Sequence, residues 1–423
     1  MQGGLAKVDI TPQVGVDLTG YSARLEPSTG IHDRLFCRAL VLSDGVTEAA
    51  LVECDTLGFG LEYTRQVKRL IEEQVAIPAA NVMVAATHTH SGPASVFLRH
   101  CGELPLDWLA EFPGKTVEAV RQAKANLAPT QLGLGMAQIP GVALNRRNRG
   151  SGPLDEELTV IELRGESGAV KGTLLHYACH AVVLGPENRE ISADFPGAAC
   201  AQVEAATGAP CLYLQGPCGD INPVIHPGSF ADVGAVGREV AEGSERAGRQ
   251  PLANTALRVR SEMASFPLAS LPSLESLMLC REEQMRQARE AESRGETVKG
   301  RNHRAMVSWA ERTVQHYCSG LLCPHLEVPL QCIETGDLLL VGVPGELFVE
   351  FGLEAKRLAE AVGKRALVVA YANGDVGYIP TAAAYAKGGY EVDSAYRYYG
   401  YPSPVAPAAG EAVSRFVRGC LGS

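Results

Sequence analysis

The sequence has no clustered run of basic residues, no apolar stretch near the ~20 residues that a membrane-spanning helix needs, and no repeated CxxC spacing. Each absence excludes a class of function. A chain of net charge −10 without grouped Lys and Arg is not built to track a phosphate backbone, so no nucleic-acid partner is expected. Its acidic balance serves solubility. Without a long apolar run, no membrane span is expected either. Residues 1–12, MQGGLAKVDITP, have neither the basic stretch nor the apolar core of a secretory signal, which makes a cytoplasmic protein the expectation. The twelve cysteines are scattered, and they read as buried free thiols instead of a disulfide scaffold or a four-cysteine zinc site. No internal repeat is visible.

What is present is a globular composition: 46% hydrophobic and 20% charged residues over 423 positions suffice for a sizeable core. We read residues 1–423 as one catalytic unit. Apolar runs at 38–42 and 49–54 predict strands, 63–73 a helix, and 81–86 a buried strand that stops at a histidine pair. The run 172–180 predicts another strand, 197–206 a helix, and 211–215 a strand ending at the turn-rich GPCGDINP of 216–223. Strand-like runs at 337–343 and 365–371 lead into Pro344-Gly345-Glu346 and Asn373-Gly374-Asp375. This alternation predicts a layered α/β fold, in which ligand sites collect at strand ends. Between 271 and 317 the composition shifts to Glu, Arg, Gln, Met and Ala, predicting a helical insertion or lid broken near Gly295 and Gly300. Substrate specificity is expected from this insertion and from a loop over 97–113.

Several strand ends carry metal-capable side chains. His88 and His90 stand two apart, so a persisting strand would turn both to one face; the pair is either a structural histidine pair or a metal site with a proton shuttle beside it. His180 ends its run before a polar stretch, as a core histidine or as a ligand. Glu346 follows an apolar strand directly, where a carboxylate is either metal-bound or paired, or caps the helix it precedes. Tyrosines crowd 371–401, including Tyr378, Tyr385, Tyr390 and Tyr396, as amphipathic packing or as phenols for a metal or an oxyanion.

Taken in order, these segments resemble the catalytic domain of the neutral, non-lysosomal ceramidases. ATHTHSGP at 86–93 is similar to that family's histidine segment, Ala178-Cys179-His180 to its second one, and Ile191-Ser192-Ala193-Asp194 follows as the family's Ser-Ser-Asp does. GIHDRLFCRA at 30–39, Pro344-Gly345-Glu346 and GYIPT at 377–381 complete a match that spans nearly the whole chain. The resemblance implies a single zinc ion held by His88, His180, Glu346 and Tyr378. It implies Tyr390 as the oxyanion contact, His90 as the proton shuttle and Arg146 as a substrate-side cation. Two departures stand out. Asn222 occupies the serine position of the family's Gly-Asp-Val-Ser-Pro loop, and the chain ends soon after the tyrosine-rich segment, so no C-terminal immunoglobulin-like domain is expected.

The expected function is therefore hydrolysis of an amide or ester of a small acyl molecule by metal-activated water, with ceramide itself an unexpected substrate. Tyr390 and Arg146 would stabilise the oxyanion, His90 would protonate the leaving group, and Asn222 would orient the substrate. The ligand types also suit another divalent metal such as iron or manganese. Two alternatives stay open at this level: a cysteine nucleophile at Cys218, and a metal-containing small-molecule binding protein without turnover. The sequence is silent on oligomeric state.

Overall fold

The computed structural model describes residues 1–252 and 256–422. Among these, the largest sheet has nine strands, eight of them in the spatial order Cys211–Gln215, Val170–Tyr177, Glu157–Gly165, Ala128–Gln138, Gln2–Asp9, Phe36–Ser43, Glu48–Cys54 and Val82–Ala86. The two outermost pairings are parallel and those between them antiparallel. A second, four-stranded sheet runs Leu257–Pro267, His325–Thr335, Leu338–Gly342 and Arg365–Val369.

The side-chain alternation along these strands explains why they read as continuous apolar runs. In Phe36–Ser43, Cys37, Ala39 and Val41 enter a core under the helices α1 (Leu61–Val75), α2 (Leu106–Ala125), α3 (Asp194–Thr207) and α4 (Phe230–Arg246). Leu40 and Leu42 point the other way, into a core shared with Leu338, Leu340, Leu367 and Val369 of the second sheet. Leu339, Val341, Ala366 and Val368 of that sheet face a third core under α7 (Val349–Glu360) and the helix Ala408–Leu421. Both faces of both sheets are thus buried, giving four layers in the order helix, sheet, sheet, helix. The expected layered α/β class holds, with sheet-on-sheet packing at its centre.

The two sheets are stitched at one end. Ala370 N–H donates to the Gln215 carbonyl at 2.9 Å, Asn373 N–H to that of Val84 at 2.6 Å, and Gly219 N–H to that of Leu347 at 2.7 Å. The strand ends that carry the metal-capable residues meet at these stitches.

Residues 271–317 form the helical hairpin α5 (Leu274–Ser293) and α6 (Thr297–Cys318). It breaks at Gly295, which takes φ +73°, whereas Gly300 lies buried within α6, where an added Cβ would stand 3.1 Å from Cγ of Glu292. Gly300 is therefore a close-packing residue, not a break. The predicted loop over 97–113 is shorter than expected, because α2 starts at Leu106 and carries Pro113 inside it.

Candidate metal centre

The strand Val82–Ala86 does not persist through His88. Thr87 N–H and His88 N–H donate to the carbonyls of Cys54 and Thr56, and His88 then takes φ +65°. The two imidazoles reach one site because of this left-handed turn, not because of strand alternation. Tyr371 and Asn373 also have positive φ, +52° and +63°. Of these three unusual backbone conformations His88 lines the cavity and Tyr371 packs behind it, each costing on the order of 1–3 kcal/mol that the surrounding packing must hold in place. Tyr371 stacks on His88 with ring centroids 3.9 Å apart. Gly20 lies under His90, where any Cβ would stand 2.3 Å from its Nδ1, so only glycine fits there.

His180 lies three residues past the end of its strand at Tyr177. Its Nδ1 donates to the Cys218 carbonyl at 2.5 Å, and Nδ1 of His88 donates to the Leu57 carbonyl at 2.7 Å. Each backbone contact fixes the proton on Nδ1 and leaves a lone pair on Nε2. Those two Nε2 atoms face the same carboxylate oxygen, Oε2 of Glu346, at 3.4 Å from His88 and 3.2 Å from His180. Burial pushes the His180 pKa down to about 4. Three acceptors therefore converge in a buried site with no donor among them, an arrangement that a cation satisfies. The residues present fit a divalent metal.

Glu346 does not cap a helix, since α7 begins at Val349 with Phe348 at its cap. It lies in the two-residue strand Glu346–Leu347, paired in parallel with Tyr378–Ile379 so that Glu346 and Tyr378 are partners in register. Tyr399 donates to Oε1 of Glu346 at 2.6 Å and lies 3.3 Å from Oδ2 of Asp375, whose pKa burial and the Glu346 charge push up to about 7. His90 Nε2 lies 3.2 Å from His88 Nε2, and the ligand atoms of His88, His90 and His180 fall within 4.8 Å of one another. On distance alone a three-histidine site is equally drawn. Two features favour Glu346 over His90 as a ligand: both tethered imidazoles face its oxygen, and His90 Nδ1 is buried without any hydrogen-bond partner, so nothing fixes its tautomer.

Arg146 is held by three partners. Its Nε donates to Oε1 of Glu391 at 2.9 Å, Nη1 to Oδ1 of Asn222 at 3.3 Å, and Nη2 to the Tyr378 phenol at 3.0 Å. Asn222 reaches it because Ile221–Pro223 pairs with Ala143–Asn145. All eight sequence-identified residues, His88, His90, Arg146, His180, Asn222, Glu346, Tyr378 and Tyr390, line one cavity of about 280 Å³. Tyr21, Leu57, Leu98, Val182, His226 and Tyr398 complete much of its wall. The α5–α6 hairpin contributes no lining residue. It braces the lining segments from behind, through Trp309 against Tyr396, Trp309 Nε1–H to the Tyr401 carbonyl, and Arg99 to Ser308.

Cys218 does not fit a nucleophile. It is fully buried, its Sγ contacts the Tyr371 hydroxyl at 3.3 Å, and burial pushes its thiol far above the ordinary range. Sequence reasoning missed Tyr399, Asp375 and Glu391. Tyr399 and Glu391 lie in the tyrosine-rich segment, where composition does not separate donors from packing, and Asp375 appears only as part of a turn.

Comparison with known proteins places this geometry in a family. Residues 2–215 match the model described as "Neutral/alkaline non-lysosomal ceramidase, N-terminal", and the chain belongs to that family. Among relatives, the neutral ceramidase of Pseudomonas aeruginosa is 28% identical over 255 residues, covering 53% of this chain and 38% of that protein. That of Mycobacterium tuberculosis is 24% identical over 473 residues, covering 92% of this chain and 72% of that one. The crystal structure of the Pseudomonas aeruginosa enzyme superposes with a TM-score of 0.77 at 20% identity, over 99% of this chain and 73% of the other, which establishes the fold. The region aligned with the Pseudomonas aeruginosa sequence is thus well under half of that relative's length.

Proposed function

We propose that this chain hydrolyses the acyl bond of a small amide or ester at a single metal centre, with zinc as the ion and His88, His180, Glu346 and Tyr378 as its ligands. The observation that carries the reading is the pair of tethered imidazoles whose Nε2 lone pairs face one buried carboxylate oxygen. Membership in a family named for ceramidases supports an amide as the bond cleaved. When bound, zinc supplies Lewis acidity, polarising a carbonyl and lowering the pKa of water to roughly 7 in open sites.

The chain's own residues do the rest. His90, half-buried and neutral because desolvation and the neighbouring imidazoles depress its pKa, takes the proton of the attacking water on Nε2 and delivers it to the departing amine or alcohol. Tyr390 lines the same cavity with its ring 5.8 Å from that of Tyr378, and its phenol donates to the developing oxyanion. Three of the five Arg146 N–H donors hold Glu391, Asn222 and Tyr378, so it positions those groups, and its remaining donors and positive charge face the substrate side of the cavity. A cavity of about 280 Å³ is at the small end for a ligand site, which favours a short acyl or amine portion over the two long chains of ceramide.

The test is a panel of acyl amides, esters and lactones assayed before and after exhaustive chelation, then with zinc restored. Activity that disappears and returns supports the proposal. Full hydrolysis by the chelated protein would contradict it.

A further inference from the structure

A second concavity, of about 650 Å³, opens beside the first and shares Arg146, Asn222 and Tyr390 with it. Its walls are two segments, 146–149 and 387–391, and it is cationic in an otherwise acidic protein. Arg147 spends its charge on Glu391, which Arg146 also contacts, and donates to the Gly388 carbonyl at 2.6 Å. Two guanidinium groups therefore share one carboxylate. Arg149 and Lys387 are exposed and form no ion pair among the described residues. The nearby Asp393 is engaged by Gly389 N–H. Counting Arg146, Arg147, Arg149 and Lys387 against Glu391 and Asp393 leaves two positive charges facing the groove.

The hydrogen-bonding groups are arranged in the same sense. Asn222 turns its Oδ1 to Arg146, which leaves the Nδ2 hydrogens as donors at the junction of the two cavities. His226, on the wall of the metal-side cavity, lies in the field of both Arg146 and Arg149. A substrate whose scissile bond lies at the histidines would extend past Asn222 and Tyr390 to meet Arg149 and Lys387.

We infer that this groove binds an oxyanion of the substrate, so that the chain acts on acyl conjugates carrying a carboxylate or phosphate instead of neutral lipid amides. The inference rests on the proposed hydrolase reading. Two exposed cations and an amide donor supply charge-assisted hydrogen bonds to the anion, and the local positive field raises its encounter rate.

The test compares N-hexanoylglycine, its neutral isostere N-hexanoylglycinamide, and O-phospho-N-hexanoylethanolamine, using the metal-loaded full chain. Either anionic compound should exceed glycinamide in kcat/KM by about tenfold or more, and the stronger of the two identifies the anion as carboxylate or phosphate. The double substitution Arg149→Ala, Lys387→Ala should bring the ratio to within about threefold of unity, mainly through KM. Both positions are exposed, so folding is not at stake. A wild-type ratio near one, or a ratio unchanged in the double variant, overturns the inference. If none of the three is hydrolysed, calorimetric titration of the same compounds decides the anion site, separately from the hydrolase reading, which the wider panel of amides, esters and lactones decides. Tighter binding of an anionic compound that the double variant loses supports it, and equal or no binding overturns it.

Discussion

Tyr399 donates its phenolic hydrogen to Oε1 of Glu346 at 2.6 Å, while Oε2 of the same carboxylate faces Nε2 of His88 and of His180. One oxygen thus holds a short bond from a protein donor, while the other, with only the long contact from the Tyr371 hydroxyl at 3.4 Å, faces the two imidazoles and suits a cation. A hydrogen bond of this kind fixes a ligand's orientation, and such partners commonly contribute 10–100-fold in metal affinity. Tyr399→Phe should weaken zinc binding by about that factor in a competitive chelator titration with the fold retained. Unchanged affinity would remove Tyr399 from the site.

Arg146 presents a planar fork to Glu391, Asn222 and Tyr378, and a lysine ammonium at the same place cannot reach all three. Arg146→Lys should lower kcat by about tenfold or more without loss of folded protein, because Glu391 keeps Arg147. Steady-state kinetics together with circular-dichroism melting checks this. Wild-type kcat would show that charge alone is sufficient there.

Cys218 is buried and held as a thiol, whereas Cys318 and Cys323 are exposed. Iodoacetamide on the native protein should label the exposed pair, spare Cys218 and leave hydrolysis intact, and Cys218→Ala should stay active. Peptide mass spectrometry alongside activity measures both. Inactivation that tracks Cys218 alkylation would revive the thiol mechanism.

Lys68 lies on the buried face of α1, and burial lowers its pKa from 10.5 to about 7. In this range the unfolded chain binds more protons than the native one. Stability should therefore rise as pH increases from about 7 towards 10.5, and the penalty should be greatest and constant below the folded pKa. Lys68→Met should remove that slope and stabilise the protein at neutral pH by roughly 1–4 kcal/mol. Urea unfolding at several pH values gives the comparison. An unaltered pH slope in the variant would contradict the burial argument.

Much of the fold was legible because both faces of each sheet are buried. Phe36–Ser43, Leu338–Gly342 and Arg365–Val369 read as unbroken apolar runs for that reason. The same fact concealed the stacking of two sheets, since a run buried on both faces does not say whether a helix or another sheet covers it. All eight site residues were legible as metal- or oxyanion-capable types at strand ends or in the resembling motifs, and they do line one cavity. What the sequence did not carry was orientation. The turn at His88 depends on a left-handed backbone, the fixed tautomers depend on the Leu57 and Cys218 carbonyls, and the engagement of Arg146 depends on Glu391, 245 positions away.

The most direct test of the account is elemental analysis of the purified wild-type protein, His88→Ala and His90→Ala, paired with turnover on whichever acyl substrate the panel identifies. The account predicts one zinc ion per chain in the wild type and in His90→Ala. It predicts loss of the metal in His88→Ala and, in His90→Ala, turnover reduced by about 10²–10⁴ with the metal still bound. Equal metal content in wild type and His88→Ala, or loss of the ion from His90→Ala alone, would contradict it.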